Sequence, residues 1–206
     1  MTFGGKGEMV KNATFAAAAL LLSAASLFAQ YPYKPVPRTM IECLEQKEGV
    51  LVLKGMTKVG ILQGSRGGAA VVEAKEVKIA NSGERRTGIL IRIVEPAGPN
   101  QSVREDETYI DYDEIESLLG AIGHFSKINH TDTELDDYQA VFRTRGGFQL
   151  SLKSIRVGEG IRVAVIDMND NVFCIYITPA DLPTLKNFIV TAKEKIDLMA
   201  EKQKSK

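Results

Sequence analysis

One junction, a strand running straight into a helix, occurs twice in this chain at a fixed spacing. Tyr109-Ile110 and Tyr176-Ile177 each close a β-like run and enter a helical stripe. Ile115 then matches Leu182, Leu118 matches Leu185 and Ile122 matches Ile189, all at an offset of 67 residues. The entry residues agree in kind. Asp111 with Glu114, and Thr178 with Asp181, each offer an oxygen acceptor at a helix N-cap and a carboxylate three positions on. Further back, Ser65-Arg66-Gly67-Gly68 matches Thr144-Arg145-Gly146-Gly147 at an offset of 79, and Gly88-Ile89 matches Gly160-Ile161 at 72. Offsets that shrink toward the C-terminus are what a duplication with longer loops in its first copy produces.

The stretches between these landmarks read as antiparallel β. In the first half, short apolar runs at Val50–Leu53 and Val59–Leu62 are separated by Gly55. Ala69–Ile79, Thr87–Val94 and a strand ending at Ile110 follow. Ile89, Ile91 and Ile93 share one face by the two-residue period of a strand. The second half gives Tyr138–Thr144, Phe148–Lys153, Ile161–Asp167 and Val172–Thr178, joined by short Gly- and Asn-rich turns that favour hairpins. Ile115, Leu118, Leu119, Ile122 and Phe125 make one helical stripe. Leu182, Leu185, Phe188, Ile189, Ala192 and Ile196 make the other. The expected fold is therefore α+β: antiparallel sheets packed by two helices, a tandem ββββα duplication with either one shared core or two abutting ones. Residues 40–130 form the first half and 131–206 the second, divided by the acidic connector Asn129–Asp137.

Ahead of this lies a targeting signal. Lys11 precedes the apolar run Ala13–Phe28, which ends in small residues and falls short of a comfortable membrane span. Residues 1–29 read as a signal peptide cleaved after Ala29, with Ser26 a second candidate end and Met9 a compact start. An uncleaved anchor is the other reading of the same run. Residues 30–39 hold Pro32, Pro35 and Pro37 and form an extended tether. Removing Lys6, Lys11 and Glu8 from 26 basic and 26 acidic residues leaves 24 and 25, a formal charge of −1. That balance provides no global pull toward nucleic acid or anionic membranes. The destination is the periplasm or the exterior, where Cys43 and Cys174 can pair or stay separate thiols.

Catalytic and metal signatures are missing from the sequence. His124 falls on the middle helix and His130 in the acidic connector, and no nucleophile elbow, metalloprotease or phosphate-loop motif occurs. Asp167-Met168-Asn169-Asp170-Asn171 opens like a calcium loop but places Val172 and Thr178 where Gly and Glu are needed, so a hairpin turn is expected. His130, Asp132, Glu134, Asp136 and Asp137 read as a solvated linker, and Asn129-His130-Thr131 matters as a glycosylation site only in a eukaryotic secretory route. No enzyme activity, cofactor or metal is expected.

Alternation in the second half sends Phe148, Leu150, Leu152, Ile161, Val163, Val165, Phe173, Ile175 and Ile177 toward the helix. It sends Arg143, Arg145, Gln149, Ser151, Lys153, Arg162, Cys174 and Tyr176 outward. Four antiparallel strands and a helix, given twice, with Arg-Gly-Gly turns, resemble the Whirly and Pur families of single-strand nucleic-acid binders. That resemblance implies binding across a sheet face, here Arg143, Arg145, Gln149, Lys153, Arg162 and Tyr176. Export, near neutrality and a single outward aromatic depart from those families. The expectation is a non-catalytic binding or structural module of the envelope or secreted fraction, its partner a protein or small ligand. Polyanion or single-strand binding is the alternative.

Overall fold

The computed structural model describes residues 37–95, 102–129, 132–134, 137–155, 161–168 and 173–205. The signal segment, the tether as far as residue 36, His130 and the loops at 96–101 and 156–160 lie outside them. After a short helix α1 (Met40–Glu45), the first half runs β1 (Val52–Gln63), β2 (Ala69–Ile79), β3 (Arg85–Glu95), β4 (Arg104–Asp111), a 3₁₀ turn (Tyr112–Glu114) and α2 (Ile115–Phe125). The second half repeats the order: β5 (Gln139–Arg143), β6 (Phe148–Ile155), β7 (Ile161–Met168), β8 (Phe173–Ile177), a 3₁₀ turn (Pro179–Asp181) and α3 (Leu182–Lys204). Each half forms its own four-stranded antiparallel sheet, in the orders β1-β2-β3-β4 and β5-β6-β7-β8.

The helices are exchanged between the halves. α3, carried by the second half, lies across β1, β2 and β3 of the first sheet, while α2 packs on β5 of the second sheet and on α3. The apolar stripe of α3, Leu182, Leu185, Ile189, Ala192 and Ile196, is fully buried with Val72, Ala74, Ile89 and Ile91 from the first sheet and Phe148, Leu150 and Ile175 from the second. The ring of Phe188 reaches Gly60, where a Cβ would stand about 2.4 Å from it. There is thus one shared core.

The hairpin turns are exchanged as well. The first, at Gly64–Gly68, meets β8: Ser65 donates its backbone N–H and its hydroxyl to the Tyr176 carbonyl, at 2.6 and 3.0 Å. The second, at Thr144–Gly147, meets β4: Thr108 donates its hydroxyl to the Gly146 carbonyl at 2.6 Å, and a Cβ at Gly146 would stand 2.1 Å from the Tyr109 carbonyl oxygen. Ser65 and Thr144 are matched at offset 79, Tyr109 and Tyr176 at offset 67. Equivalent turns therefore dock on equivalent strands in both directions, the reciprocity of a duplicated unit paired with itself.

Three expectations are corrected, and one short helix is added to them. β1 is a single strand of 12 residues that passes through Gly55 and is interrupted only by a bulge between Lys58 and Gly60. Glycine weakens a strand without ending it when the neighbour β2 supplies the ladder. Met40–Glu45 is helical, closed by a capping box in which the Thr39 side chain accepts from the Glu42 N–H and the Glu42 carboxylate accepts from the Thr39 N–H. Of the two junction caps, Thr178 and Asp181 form a box but Asp111 does not cap its own helix. The Asp111 carboxylate is buried and accepts the N–H groups of Met40 and Ile41, so it caps α1 from a distance in sequence of about 70 residues. Finally, the parity of β7 is opposite to that expected. Leu150 pairs with Ile166 and Phe148 with Met168, so Ile166 and Met168 enter the core, while Val165 pairs with Ser151 and Tyr176 on the other face.

α1 covers the outer face of the first sheet, where Ile41 and Leu44 bury against Val77, Ile79, Leu90 and Tyr109. The last residue of α1, Glu45, pairs with Lys54 and with the almost fully buried Lys75, each at 3.0 Å, and accepts the Tyr109 hydroxyl. Burial alone raises the Glu45 carboxyl, but the ammonium groups of Lys75 and Lys54 beside it outweigh that and hold it below the ordinary carboxylate value. A carboxylate lowered by folding stabilises above its unfolded pKa, and that stability is lost as pH falls through the folded one. Glu45→Gln is therefore expected to cost about 3 kcal/mol at neutral pH by leaving Lys75 buried and unpaired. The gap to wild type should narrow in urea titrations below about pH 4. An equal gap at both pH values would contradict this pairing.

Candidate functional site

β1 is the edge of the first sheet, so along its length alternate N–H and C=O groups point away from β2. Natural edges are blunted by charge, bulges or cover. This one has a bulge near its end, yet Leu53 and Met56, at 50% and 53% exposure, lie in its straight portion. Beside it runs the C-terminal part of α3. Ile196 ends the buried stripe there, and Leu198, off that stripe, is 55% exposed. Between edge and helix lies a groove of about 380 Å³ lined by Gly55, Met56, Thr57, Ala74, Glu76, Lys195, Leu198, Met199 and Lys202.

The electrostatics of the groove are one-sided. Glu76 is paired with Arg85 at 2.8 Å, and Arg85 also donates to Gln203, which ties the end of α3 to the sheet. β1 carries Lys54 and Lys58 and no acidic residue, but by register both face away from α3, where Lys54 pairs with Glu45; Lys195 and Lys202 stand on the helix side of the groove. The groove therefore combines, among the described residues, apolar side chains, lysines on its helix side and strand hydrogen-bonding groups with no ladder partner. Among the described residues no three His, Cys, Asp or Glu side chains are placed to hold one metal ion, and no helix is long and apolar enough to cross a membrane. His124 is exposed on α2, and Cys43 and Cys174 are not joined to each other.

The residues singled out on the second sheet are only partly brought together. Register places Arg143 opposite Gln149, and Lys153 opposite Gln139, on the face that also carries Ser151 and Tyr176. Arg143 donates through Nε to Gln149 Oε1, and Gln149 is itself buried. The Arg66 guanidinium covers the Tyr176 ring at 4.4 Å from its centroid, occupying a surface on which a base would stack. Arg145 does not belong to this face. It sits in the turn, where its N–H donates to Glu114 at 2.9 Å and its guanidinium engages Asp113, Asp111 and Glu114. The hydrogen bond to Asp113, reinforced by these charges, raises its pKa further. Arg162 pairs with Ser154, the parity of Leu152 rather than of Lys153, and its side chain lies outside the described residues.

Two groove residues carry a signal in the sequence that no motif expresses. Leu198 falls off the helical stripe, and Gly55 interrupts an otherwise β-forming run beside two lysines. Neither a protein-family model nor a curated protein sequence matches the chain.

Proposed function

We propose that this is an exported, non-catalytic binding module that takes an extended segment of a partner along the free edge of β1. The observation that carries the reading is the juxtaposition of that edge with the apolar groove under α3. A strand added to an edge gains main-chain hydrogen bonds, and the neighbouring helix supplies pockets that select every second side chain. The signal-like segment 1–29 supports export. Short peptides selected from a displayed library against the full chain are expected to perturb the amide resonances of Leu53–Thr57 and the methyl groups of Leu198 and Met199. Selected binders that leave β1 unperturbed would contradict the assignment. For export, the expected product in the envelope or medium of the producing cell begins at Gln30, and a full-length chain confined to the cytoplasm opposes it.

Polyanion binding is the second reading, favoured by the cations Arg66, Arg143 and Lys153 around Tyr176 on the second sheet. It predicts affinity for a single-stranded oligonucleotide that falls steeply with salt and weakens in Arg143→Ala/Lys153→Ala. Unchanged binding in that double variant eliminates it.

A further inference from the structure

The groove also carries information about its occupant, and we infer that the partner segment is an acidic, alternately apolar β-strand seated between β1 and α3. This rests on the binding-module reading above and goes further by fixing the chemistry of the guest.

Three observations converge. The first is Gly55. Its backbone needs no glycine: its φ is not positive, and an added Cβ would meet only Glu76 at 3.7 Å, an ordinary contact. Gly60, on the same strand, differs because the Phe188 ring lies over it. A strand-interior glycine that costs local stability without serving internal packing leaves room for another backbone to approach. It lines the groove midway along the straight part of the edge.

The second is the pattern of the floor. A strand laid along β1 turns alternate side chains to the α3 side, where Leu198 and Met199 wait, and the others to the side of Lys54 and Lys58. Met199 adapts to different apolar shapes, so the floor selects for apolar character more than for one side chain.

The third is charge. Lys195 and Lys202 make no ion pair among the described residues, and Lys58 stands across the ladder from a Glu73 already engaged by Arg92, whereas Glu76 is already neutralised by Arg85. A second copy of this chain fits poorly here. Antiparallel pairing of two β1 strands centred on Met56 sets Lys54 against Lys58, and like charges directly opposite destabilise a strand pair. An acidic guest strand instead sets a carboxylate against Lys58.

The test uses the full chain and three short acetylated peptides: one alternating Glu with Val, one alternating Lys with Val, and the Glu–Val peptide with a central Pro. Binding is read by fluorescence anisotropy at two salt concentrations, and the site by amide hydrogen exchange. The Glu–Val peptide is expected to bind and to protect Leu53–Thr57, with affinity falling as salt rises. The Pro peptide is expected to lose most of that binding, because it lacks a ladder donor. Lys195→Glu/Lys202→Glu, both on the surface of α3, is expected to weaken the Glu–Val peptide about tenfold and to favour the Lys–Val peptide. A thermal melt matching wild type shows that the fold is intact in that variant.

Preferential protection of β1 by the Lys–Val peptide would overturn the acidic-guest inference and leave the binding-module reading standing. Binding of the Glu–Val peptide without protection of β1, or unchanged in the charge-reversed variant, also overturns it. Protection of β1 that grows with protein concentration alone assigns the edge to a second copy and overturns it too. If no peptide protects β1 and none from a displayed library does, both readings fall together.

Discussion

Expressed as separate chains, residues 37–130 and 131–206 are expected to stay unfolded, and to gain native circular dichroism and dispersed amide resonances only when mixed. The reason is the exchange of helices. Without the second half, the first sheet loses Leu182, Leu185, Ile189, Ala192 and Ile196, five buried side chains that cover β1, β2 and β3. Burial of five such groups contributes on the order of 10 kcal/mol, which is as large as the whole stability of an ordinary domain. The second half alone keeps α3 but has no first sheet for its stripe to cover, and β5 loses α2. Four-stranded sheets with a bare apolar face aggregate more readily than they fold. Two halves that each melted cooperatively would show that the shared core is not required.

The second large effect is expected at Gly146. An added methyl group there would stand 2.1 Å from the Tyr109 carbonyl oxygen and 3.0 Å from both the Thr108 hydroxyl and a Thr39 methyl. The first of these is backbone in the β4 strand, which is paired along its length with β3 and cannot move aside. Gly146→Ala should therefore push the second turn off the first half, breaking the Thr108 hydrogen bond and loosening the Arg145 clamp on Asp111, Asp113 and Glu114. The expected cost is about 3 kcal/mol. For a chain of this size that lowers the melting temperature by roughly 6–12 °C. Gly120→Ala is the control: its Cβ meets nothing within 4 Å, in the exposed part of α2. That substitution should leave stability unchanged or raise it by up to about 1 kcal/mol. Equal behaviour of the two variants in thermal melts would refute the docked turn.

Periodicity made much of this architecture legible. Ile89, Ile91 and Ile93 on a two-residue period, and Leu182 through Ile196 on a helical one, identify buried faces because one side of each element must leave water. The matched junctions at 109 and 176 gave the repeat. Periodicity does not say which sheet a helix covers, so the exchange of α2 and α3 was beyond its reach. The reversed parity of β7 has a similar origin. Its run Ile161-Arg162-Val163-Ala164-Val165-Ile166 has apolar residues on both parities, and only pairing with Leu150 and Ile175 decides which enter the core. Helix α1 was missed although Thr39 and Glu42 spell its capping box, because six residues carry too little stripe to register.

The candidate site was legible only in fragments. Outward residues of the second sheet were read by alternation, which placed Arg143, Gln149, Lys153 and Tyr176 together. Alternation stops at a turn, which is why Arg145 was assigned to a face when it belongs to a clamp with Asp111, Asp113 and Glu114. The groove beside β1 joins residues about 140 positions apart, Gly55–Thr57 with Lys195–Lys202. Its existence depends on α3 crossing to the first sheet, so it follows from the same exchange that periodicity leaves undetermined.

That exchange is tested most directly by the nuclear Overhauser contacts of the Phe188 ring in the full chain. The account predicts strong cross-peaks from the Phe188 aromatic protons to the α-protons of Gly60, with further α3 contacts to β2 and β3. An α3 whose cross-peaks ran to β5–β8 alone, with none to Gly60, would contradict it.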